Sequence, residues 1–266
     1  VYKGSEDQLP DPVISAIEGM NAPAFRGAAY MVFEDFPLDD YGARLPQFNA
    51  EILRMPAAAV SEPRMEDLVT GVNLIPASGE YAYATDIVED VTGQAVPVNM
   101  NNLAGQPDME RALDQLETQL PNCRNISLIV SWFGSDLRAG LCEIKPGIEA
   151  RDRLTIGMDW RVCGQTRETA YLVSQDANGR PHYGGTPSDA SVLQAIAAFK
   201  ARGFKVTLYP FILMDIVPGN GLPDPYGSAE QAAFPWRGRI TSQADGSAAA
   251  GDDIDNFFGT CGAADF

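Results

Sequence analysis

The segment at residues 125–140 constrains the fold of this chain more than any other part of the sequence. It reads NISLIVSWFGSDLRAG, and residues 126–133 form an almost unbroken apolar run. The length of the run and its β-branched residues favour a strand over a helix. A strand that is apolar on both faces is covered on both faces, which is typical of a parallel sheet. Ser135, Asp136 and Arg138 follow at once, where α/β proteins place ligand-binding residues.

The preceding segment, residues 108–120, predicts the clearest helix of the chain. Met109 and three leucines recur at helical spacing and make one apolar stripe. Asp108 is a suitable N-cap, and Pro121 ends the pattern. This helix and the strand that follows it form one αβ unit.

A second αβ unit is predicted at residues 186–214. Thr186 can cap its helix, and Pro187 suits the first helical position. Residues 204–214 then predict another buried strand, and Asp215 comes directly after it. Both predicted strands are therefore followed closely by an aspartate.

Local patterns predict several shorter elements. Pro12 suits the first turn of a short helix that Gly19 closes. Residues 81–87 form an aromatic run that is expected to be extended. Residues 159–163 and 170–174 are predicted to be short strands within an otherwise irregular region.

The two αβ units predict an α/β fold with a parallel sheet. A barrel of alternating strands and helices fits this order, but eight units need about 250 residues. Fewer remain after a boundary rich in Pro and Ala at residues 56–63. The domain at residues 61–266 is therefore expected to be a partial or decorated TIM-barrel-like fold. Residues 1–60 are predicted to form a separate β-rich segment, with strand-like runs at residues 28–33 and 48–53.

The acidic composition excludes one class of partner. The chain carries 36 acidic and 19 basic residues, a formal net charge of −17. Proteins that bind duplex nucleic acid normally present a basic face, so no sequence-specific nucleic-acid binding is expected. Solubility is a sufficient reason for the acidity. No apolar run reaches the ~18 residues of a membrane span.

Residues that bind metals are too few and too widely spaced to predict a metal site. The cysteines are Cys123, Cys142, Cys163 and Cys261. None lies in a CxxC pair, so free thiols are expected, and one long-range disulfide is the open alternative. His182 is the single histidine and lies in a loop rich in Gly and Pro, so a Ser-His-Asp triad would need it. No cofactor is predicted, because PGNGLPDPYG lacks the known phosphate-loop patterns.

Several long, ordered stretches resemble a known family. They are SLIVSWFGSDLRAG, GGTPSDASVLQAIAAFKARGFKVTLYPFILMDI, PGNGLPDPYG and FPWRGRIT, preceded by GVNLIPASGEYAYATDIV. These stretches resemble the TIM-barrel-like domain of gene transfer agent tail proteins and related siphophage tail proteins. Upstream, PAFRGAAYMVFEDFPLDDYGARLPQFNAEILR resembles the hub segment of phage tail-tip proteins, into which that domain is inserted. Together the stretches cover most of residues 20–240.

The resemblance implies a structural protein in the tail tip, or baseplate, of a phage-like particle. Such a protein is a large homotrimer that contacts other tail and baseplate proteins, in a particle that delivers DNA through a bacterial envelope. The chain would then be an interior piece of a longer polypeptide. The barrel of this family is commonly labelled glycoside-hydrolase-like, a label that rests on fold analogy and does not imply catalysis.

Asp136 and Asp215 are the candidate catalytic residues. Glycosidases use two carboxylates, ~5 Å apart when they retain configuration and ~6.5–9.5 Å apart when they invert it. The two aspartates would flank one crevice if their strands are neighbours. The alternative is that both side chains cap the local backbone, which aspartate commonly does at such positions. Further acids of a barrel hydrolase would lie beyond residue 266.

Trp236, Arg237 and Arg138 are the candidate glycan-binding residues. Trp236 lies in a loop, where an indole ring can stack on a sugar. The two arginines can bind acidic groups, or they pair with nearby carboxylates in so acidic a chain. Three functions remain open from the sequence: a structural tail-tip protein, a hydrolase of cell-wall or surface glycan, and a protein that binds such glycan without cleaving it.

Overall fold

The computed structural model of the protein describes residues 1–34, 63–75, 79–244 and 246–260. The chain divides into two compact units, Val1–Ala57 and Ala58–Phe266. The predicted strand at residues 48–53 lies outside the described residues, as does almost all of the predicted boundary at residues 56–63.

The described residues form helices and strands of very different lengths. The helices are α1 (Pro12–Glu18), α2 (Met65–Leu68), α3 (Asp108–Gln119), α4 (Asp189–Ala201) and α5 (Ala248–Phe258). The strands are β1 (Gly71–Leu74), β2 (Glu89–Asp90), β3 (Val96–Pro97), β4 (Asn125–Gly134), β5 (Ile144–Lys145), β6 (Gly147–Ile148), β7 (Thr155–Ile156), β8 (Arg161–Val162), β9 (Gln165–Thr166), β10 (Tyr171–Leu172) and β11 (Lys205–Met214). The 3-10 helices are Gly19–Asn21, Ala139–Leu141 and Arg237–Arg239.

The first unit is organised around α1. Asp11 caps this helix by accepting hydrogen bonds from the backbone N–H groups of Val13 and Ile14, and Gly19 ends it with a φ of 63°. The predicted strand at residues 28–33 is wrong, because that segment makes a single antiparallel bridge, between Tyr30 and Tyr2. Gly4, two residues after Tyr2, has a φ of 79°, a value that glycine adopts more readily than other residues.

A parallel sheet lies at the centre of the second unit. β1, β4 and β11 are neighbours in the order in which they occur in the chain, and β5 pairs antiparallel with the end of β4. The strand predicted at residues 126–133 is confirmed as β4. Its register with β11 runs from Asn125 opposite Lys205 to Gly134 opposite Met214. Both long strands therefore end at the same edge of the sheet.

Helices α3 and α4 cover one face of this sheet. Alternate residues of β4 point to that face, and they share one apolar cluster with residues of both helices. The buried members from these elements are Met109, Leu113, Ile126, Leu128, Val130, Ala195 and Phe199. Full burial of a side chain of this kind contributes about 1.5–3 kcal/mol, so this cluster is a main source of stability.

The prediction of a buried second strand is only partly right. Residues 205–214 form a strand, but Leu208 is 53% exposed and Tyr209 is 40% exposed. Within the described residues, β11 has β4 on one side and no strand on the other. An apolar run alone does not distinguish a central strand from an edge strand, which is why the sequence misled here.

Pro210 lies at the open edge of β11. The backbone N–H groups of Lys205 and Asp215 donate toward the β4 side, to Arg124 and Gly134, at 2.7 and 3.0 Å. Because alternate residues of a strand point in opposite directions, the nitrogen of Pro210 faces away from β4. Proline is tolerated at such an edge position, since it has no N–H to lose from the ladder.

Both predicted helix caps are wrong. Ser188, not Thr186, caps α4, by accepting a hydrogen bond from the N–H of Ser191. Thr186 is buried in the core instead, where its N–H donates to the carbonyl of Gly147 at 2.7 Å and its hydroxyl accepts from the N–H of Gly147 at 3.0 Å. At α3 the cap position is Pro107, and the carboxylate of the first helical residue, Asp108, accepts bonds from the preceding loop.

The irregular region before α4 builds a second apolar core around Trp160. The predicted short strands at residues 159–163 and 170–174 are confirmed as β8 and β10. The aromatic run at residues 81–87 is not extended, because turn hydrogen bonds link Ala82 to Gly79 and Ala84 to Tyr81 at 3.2 and 3.0 Å. The aromatic rings of this run are nevertheless buried.

The fold is mixed α/β. The strands of the described ranges do not close into a barrel. In the same ranges, no helix combines the length and the apolar character needed to cross a bilayer.

Candidate functional site

The carboxyl ends of β4 and β11 bring the two candidate acids to the same edge of the sheet. The N–H of Asp215 donates to the carbonyl of Gly134 at 3.0 Å, so the chain leaves both strands side by side. Asp136 is 4% exposed and Asp215 is 8% exposed. The sequence thus predicted their common location, and the structure adds that both are buried.

Four hydrogen bonds from Arg138 and Gln231 hold the carboxylate of Asp136. Arg138 donates to Oδ1 from Nε at 3.0 Å and to Oδ2 from Nη2 at 2.6 Å, and its backbone N–H donates to Oδ1 at 2.8 Å. Gln231 Nε2 donates to the same Oδ1 at 2.7 Å. Burial acts to raise the pKa of Asp136, but these bonds outweigh it and lower the pKa below its usual range. The carboxylate is therefore ionised and fully engaged.

Gln231 is a residue that sequence reasoning missed. It is 1% exposed, and besides holding Asp136 it accepts from the N–H of Leu137 at 2.8 Å. It also donates to the carbonyl of Pro223 at 3.1 Å. A buried amide that joins two loops fixes the chain after β4, and nothing in its local sequence marks it.

Asp215 is held by the segment around β10. Tyr171 donates its hydroxyl to Oδ2 at 2.7 Å, and the N–H of Ser174 donates to the same oxygen at 2.8 Å. The Ser174 hydroxyl bonds the other carboxylate oxygen. Burial and the bond to Asp215 raise the pKa of Tyr171 well above its usual range. Tyr171 therefore stays protonated and remains a donor to this carboxylate.

The histidine lies next to this group but does not form a triad. His182 Nδ1 is 3.1 Å from the Ser174 hydroxyl, and that hydroxyl is bonded to Asp215. In a Ser-His-Asp triad the imidazole stands between the hydroxyl and the carboxylate. Here the serine stands between the other two, so the carboxylate does not orient the imidazole as a base.

A cavity of about 330 Å³ lies on the face of the sheet that α3 and α4 leave uncovered. Residues of β4 and β11 form its floor, and the loop before α4 forms its wall. Its lining includes Ile129, Ser131, His182, Tyr183, Phe211 and Leu213. Neither candidate acid lies in that lining, which contains no carboxylate, whereas a glycosidase needs two.

Arg237 contacts Phe211 of this cavity, and Trp236 precedes it in the chain; both belong to what we call the aromatic–arginine surface. This surface consists of Tyr209, Tyr226, Trp236, Arg237 and Arg239. Trp236 is 68% exposed and Tyr226 is 51% exposed. The guanidinium of Arg237 stacks 3.9 Å from the ring centroid of Phe211, which lines the cavity, and lies 3.4 Å from the Tyr209 hydroxyl. Arg239 stacks on Tyr226 in the same manner, at 4.5 Å.

Arg138, the third candidate for glycan binding, has a different environment. Its guanidinium is committed to Asp136, and it lines a separate cavity of about 670 Å³ together with Asp253. Trp236 and Arg237 are consecutive residues, whereas Arg138 lines a different cavity from the one that includes Phe211.

The sequence matches no protein-family model and no curated protein. The residues of the site and the resemblance of the stretches above to phage tail proteins are therefore the basis for the proposed function.

Sequence reasoning also missed a buried group of charged residues around Arg153 and Arg167. Glu80 accepts two bonds from Arg167, at 2.9 and 2.7 Å, and one from Arg153, at 3.1 Å. Glu149 accepts from the same Arg153 nitrogen at 2.8 Å. Asp90 also lies 3.3 Å from Arg153, so three carboxylates surround two arginines. Glu80, Glu149 and Arg153 line a cavity of about 220 Å³, but each carboxylate is already paired with an arginine, so the group is an ion-pair network rather than a free acid and base.

Among the residues that the structure describes, no group of three or more His, Cys, Asp or Glu side chains is arranged to hold a metal ion. Cys123, Cys142 and Cys163 are free thiols, and Cys261 lies outside the described residues. Burial raises the pKa of both Cys142 and Cys163, which reduces their reactivity as thiolates.

Proposed function

We propose that this chain is a structural part of the tail tip of a phage-like particle, and that its α/β domain contacts bacterial glycan without cleaving it. The sequence resemblance gives the particle, the baseplate location and the homotrimer. The chemistry of the described site favours the structural reading over the hydrolase that the same resemblance allows.

One observation carries this preference: both candidate carboxylates are fully engaged by protein donors. A glycosidase needs one carboxyl group that can give a proton to the leaving oxygen and a second that faces the sugar or a water. Asp136 is bound by Arg138 and Gln231, and Asp215 by Tyr171 and Ser174. Both acids therefore serve to anchor loops after their strands.

The topology of the sheet supports a barrel-like domain as the finer description. β1, β4 and β11 are parallel and follow one another in sequence order, and the helices between them cover the same face. Doubly wound folds place helices on both faces of the whole sheet, although each βαβαβ half carries its helices on one face. A run of strands with helices on one side is the repeating plan of a TIM barrel.

Peptide mapping of purified particles tests the location. We expect peptides of this chain in the tail-tip fraction, at the same copy number as other trimeric tip proteins. Recovery of the chain only outside particles would contradict the proposal.

A hydrolysis assay tests the absence of cleavage. The purified chain is expected to release no reducing sugar from peptidoglycan or capsular glycan. The matched variants are Asp136→Asn and Asp215→Asn. If the native chain cleaves glycan and either variant abolishes cleavage, the hydrolase is the correct function.

The glycan contact rests on the exposed ring of Trp236. An exposed indole presents an apolar face that suits the C–H face of a sugar. Trp236→Ala is expected to reduce attachment of the chain to whole cells. Trp160→Phe is a suitable control for aromatic content, because that indole is buried.

A further inference from the structure

We infer that the aromatic–arginine surface binds an acidic polysaccharide, one whose sugars carry carboxylate groups. The inference rests on the proposed glycan contact and names the chemistry of that glycan. It depends on two arginines that stack on aromatic rings and on an exposed indole close to them in sequence. The chain as a whole is strongly acidic.

The two arginines of this surface differ in their surroundings from the ion-paired arginines of the described chain. Arg138, Arg153 and Arg202 each lie within 4.0 Å of a carboxylate. Arg237 and Arg239 make no such ion pair with any of the described residues. In a protein with a formal net charge of −17, two arginines that are two residues apart and lack such an ion pair add local positive charge to this surface.

Two acids on the preceding loop, Asp224 and Glu230, accept hydrogen bonds from the backbone. Asp224 accepts from the N–H groups of Tyr226 and Ser228, both at 3.2 Å. Glu230 accepts from the N–H groups of Gly219 and Gly221, both at 3.0 Å. These bonds fix the loop that carries Tyr226. The charge of Arg239 contributes to lowering the pKa of Asp224, but the two side chains are not close enough to form an ion pair.

The stacked geometry leaves the arginines available to an anion. The guanidinium carbon of Arg237 lies 3.9 Å from the ring centroid of Phe211, and that of Arg239 lies 4.5 Å from the ring centroid of Tyr226. A guanidinium stacked on a ring can still donate hydrogen bonds from its edge, and the described residues supply only the Tyr209 hydroxyl, at 3.4 Å from Arg237, as a partner there. A guanidinium fork matches the two oxygens of a carboxylate. The aromatic rings also restrain the arginine side chains, which reduces the entropy lost on binding.

The indole of Trp236 is positioned as the platform for a sugar ring. Its ring rests on Gly238, where a Cβ would overlap it, while most of the side chain is exposed. Phe234, two residues earlier, has a φ of 47°, a strained value for a bulky residue. That ring packs on His182 and Tyr183 at the cavity wall, at 4.9 and 5.7 Å between centroids, which fixes the start of the loop.

A pair of matched probes tests the inference: oligogalacturonate and its methyl ester of the same length, which lacks the charge. We expect the native chain to bind the acid form about tenfold or more tightly than the ester, from charge-assisted hydrogen bonds to the arginines. Raising the salt concentration should weaken binding of the acid form and leave the ester unaffected.

The double variant Arg237→Gln/Arg239→Gln should bind both probes equally, and weakly. The control is Arg111→Gln/Lys200→Gln, which removes the same charge from α3 and α4 on the opposite side of the sheet. It should keep the preference for the acid form. Urea unfolding of each variant shows that it is folded.

The outcomes separate this inference from the proposed function. Equal binding of both probes, lost in Trp236→Ala, would overturn the acidic specificity and leave the glycan contact standing. Binding of a phosphate-rich polymer such as teichoic acid, without binding of oligogalacturonate, would overturn the carboxylate assignment. Binding of no glycan at all would overturn both.

Discussion

Arg167 holds the buried carboxylate of Glu80 with both terminal nitrogens of its guanidinium, at 2.9 and 2.7 Å. The side chain of Glu80 is 0% exposed and that of Arg167 is 10% exposed. Glu80 also accepts from the N–H of Glu149 at 2.8 Å, so it joins three separate segments of the second unit. A buried ion pair adds little net stability when it forms, but removal of one partner leaves a buried charge without compensation.

Glu80→Gln is therefore expected to lower the free energy of unfolding by about 3–5 kcal/mol, because the charge of Arg167 stays buried and unpaired. Urea unfolding monitored by tryptophan fluorescence measures the change. Glu143→Gln is the matched control, since Glu143 pairs with Lys145 at the surface and is 67% exposed. That control should change the free energy by less than about 1 kcal/mol. Equal urea midpoints for native protein and Glu80→Gln would contradict the role of the network.

Asp136→Asn tests whether the carboxylate after β4 anchors its loop. The bonds from Arg138 and Gln231 lower the pKa of Asp136 against the opposing effect of burial. A carboxyl group with a lowered folded pKa contributes its stability in full above its unfolded pKa of about 3.9. It loses that contribution as the pH falls through the folded pKa. The variant should therefore be about 1.5–3 kcal/mol less stable than native protein at neutral pH.

The pH dependence of this difference is the decisive measurement. Urea unfolding between about pH 3 and pH 7 should show a constant difference above about pH 5 that shrinks in acid. Asp152→Asn, at an exposed position, controls for the loss of one negative charge. A difference that stays constant down to pH 3 would mean that the ionised carboxylate is not what stabilises the loop.

Gly147→Ala tests the packing of the second core against β4. A Cβ at Gly147 would lie 2.6 and 2.7 Å from ring carbons of Phe133 and 2.9 Å from Val173. The ring cannot move without disturbing its other contacts, so we expect a loss of about 1–3 kcal/mol. Gly93→Ala is the control, because nothing lies within 4 Å of a Cβ there. Thermal unfolding of both variants checks the prediction, and equal stabilities would show that this core is loosely packed.

The sequence predicted the elements whose signal is local. The stripe of α3 and the apolar run of β4 are patterns of adjacent residues, and both were confirmed. The cap of α4 was misplaced because Ser188 and Thr186 are both suitable by type. The choice between them depends on Gly147, which is distant in sequence and binds Thr186 in the core.

The candidate site was predictable in place but not in its contacts. Strand ends located Asp136 and Asp215, since parallel strands finish at one edge. The partner that engages Asp136, Gln231, is 95 residues away, and Arg167 is 87 residues from Glu80. Pairings at such separations depend on how loops pack, and a single sequence carries no local pattern for them.

Arg202 links α4 to α3 and is expected to stabilise the pair of helices in a salt-dependent manner. It lies 2.6 Å from Glu110 and 2.8 Å from both Asp114 and Glu117, with its side chain 22% exposed. Arg202→Gln should lower the free energy of unfolding by about 1 kcal/mol. The loss should be larger at low salt, where three like charges on one helix face repel unscreened. Urea unfolding in about 20 mM and about 500 mM NaCl measures this difference. Arg111→Gln is the control, because it removes one positive charge from α3, the helix that carries the three acids. A loss that is equal at both salt concentrations would assign the effect to packing of the arginine stem rather than to its charge.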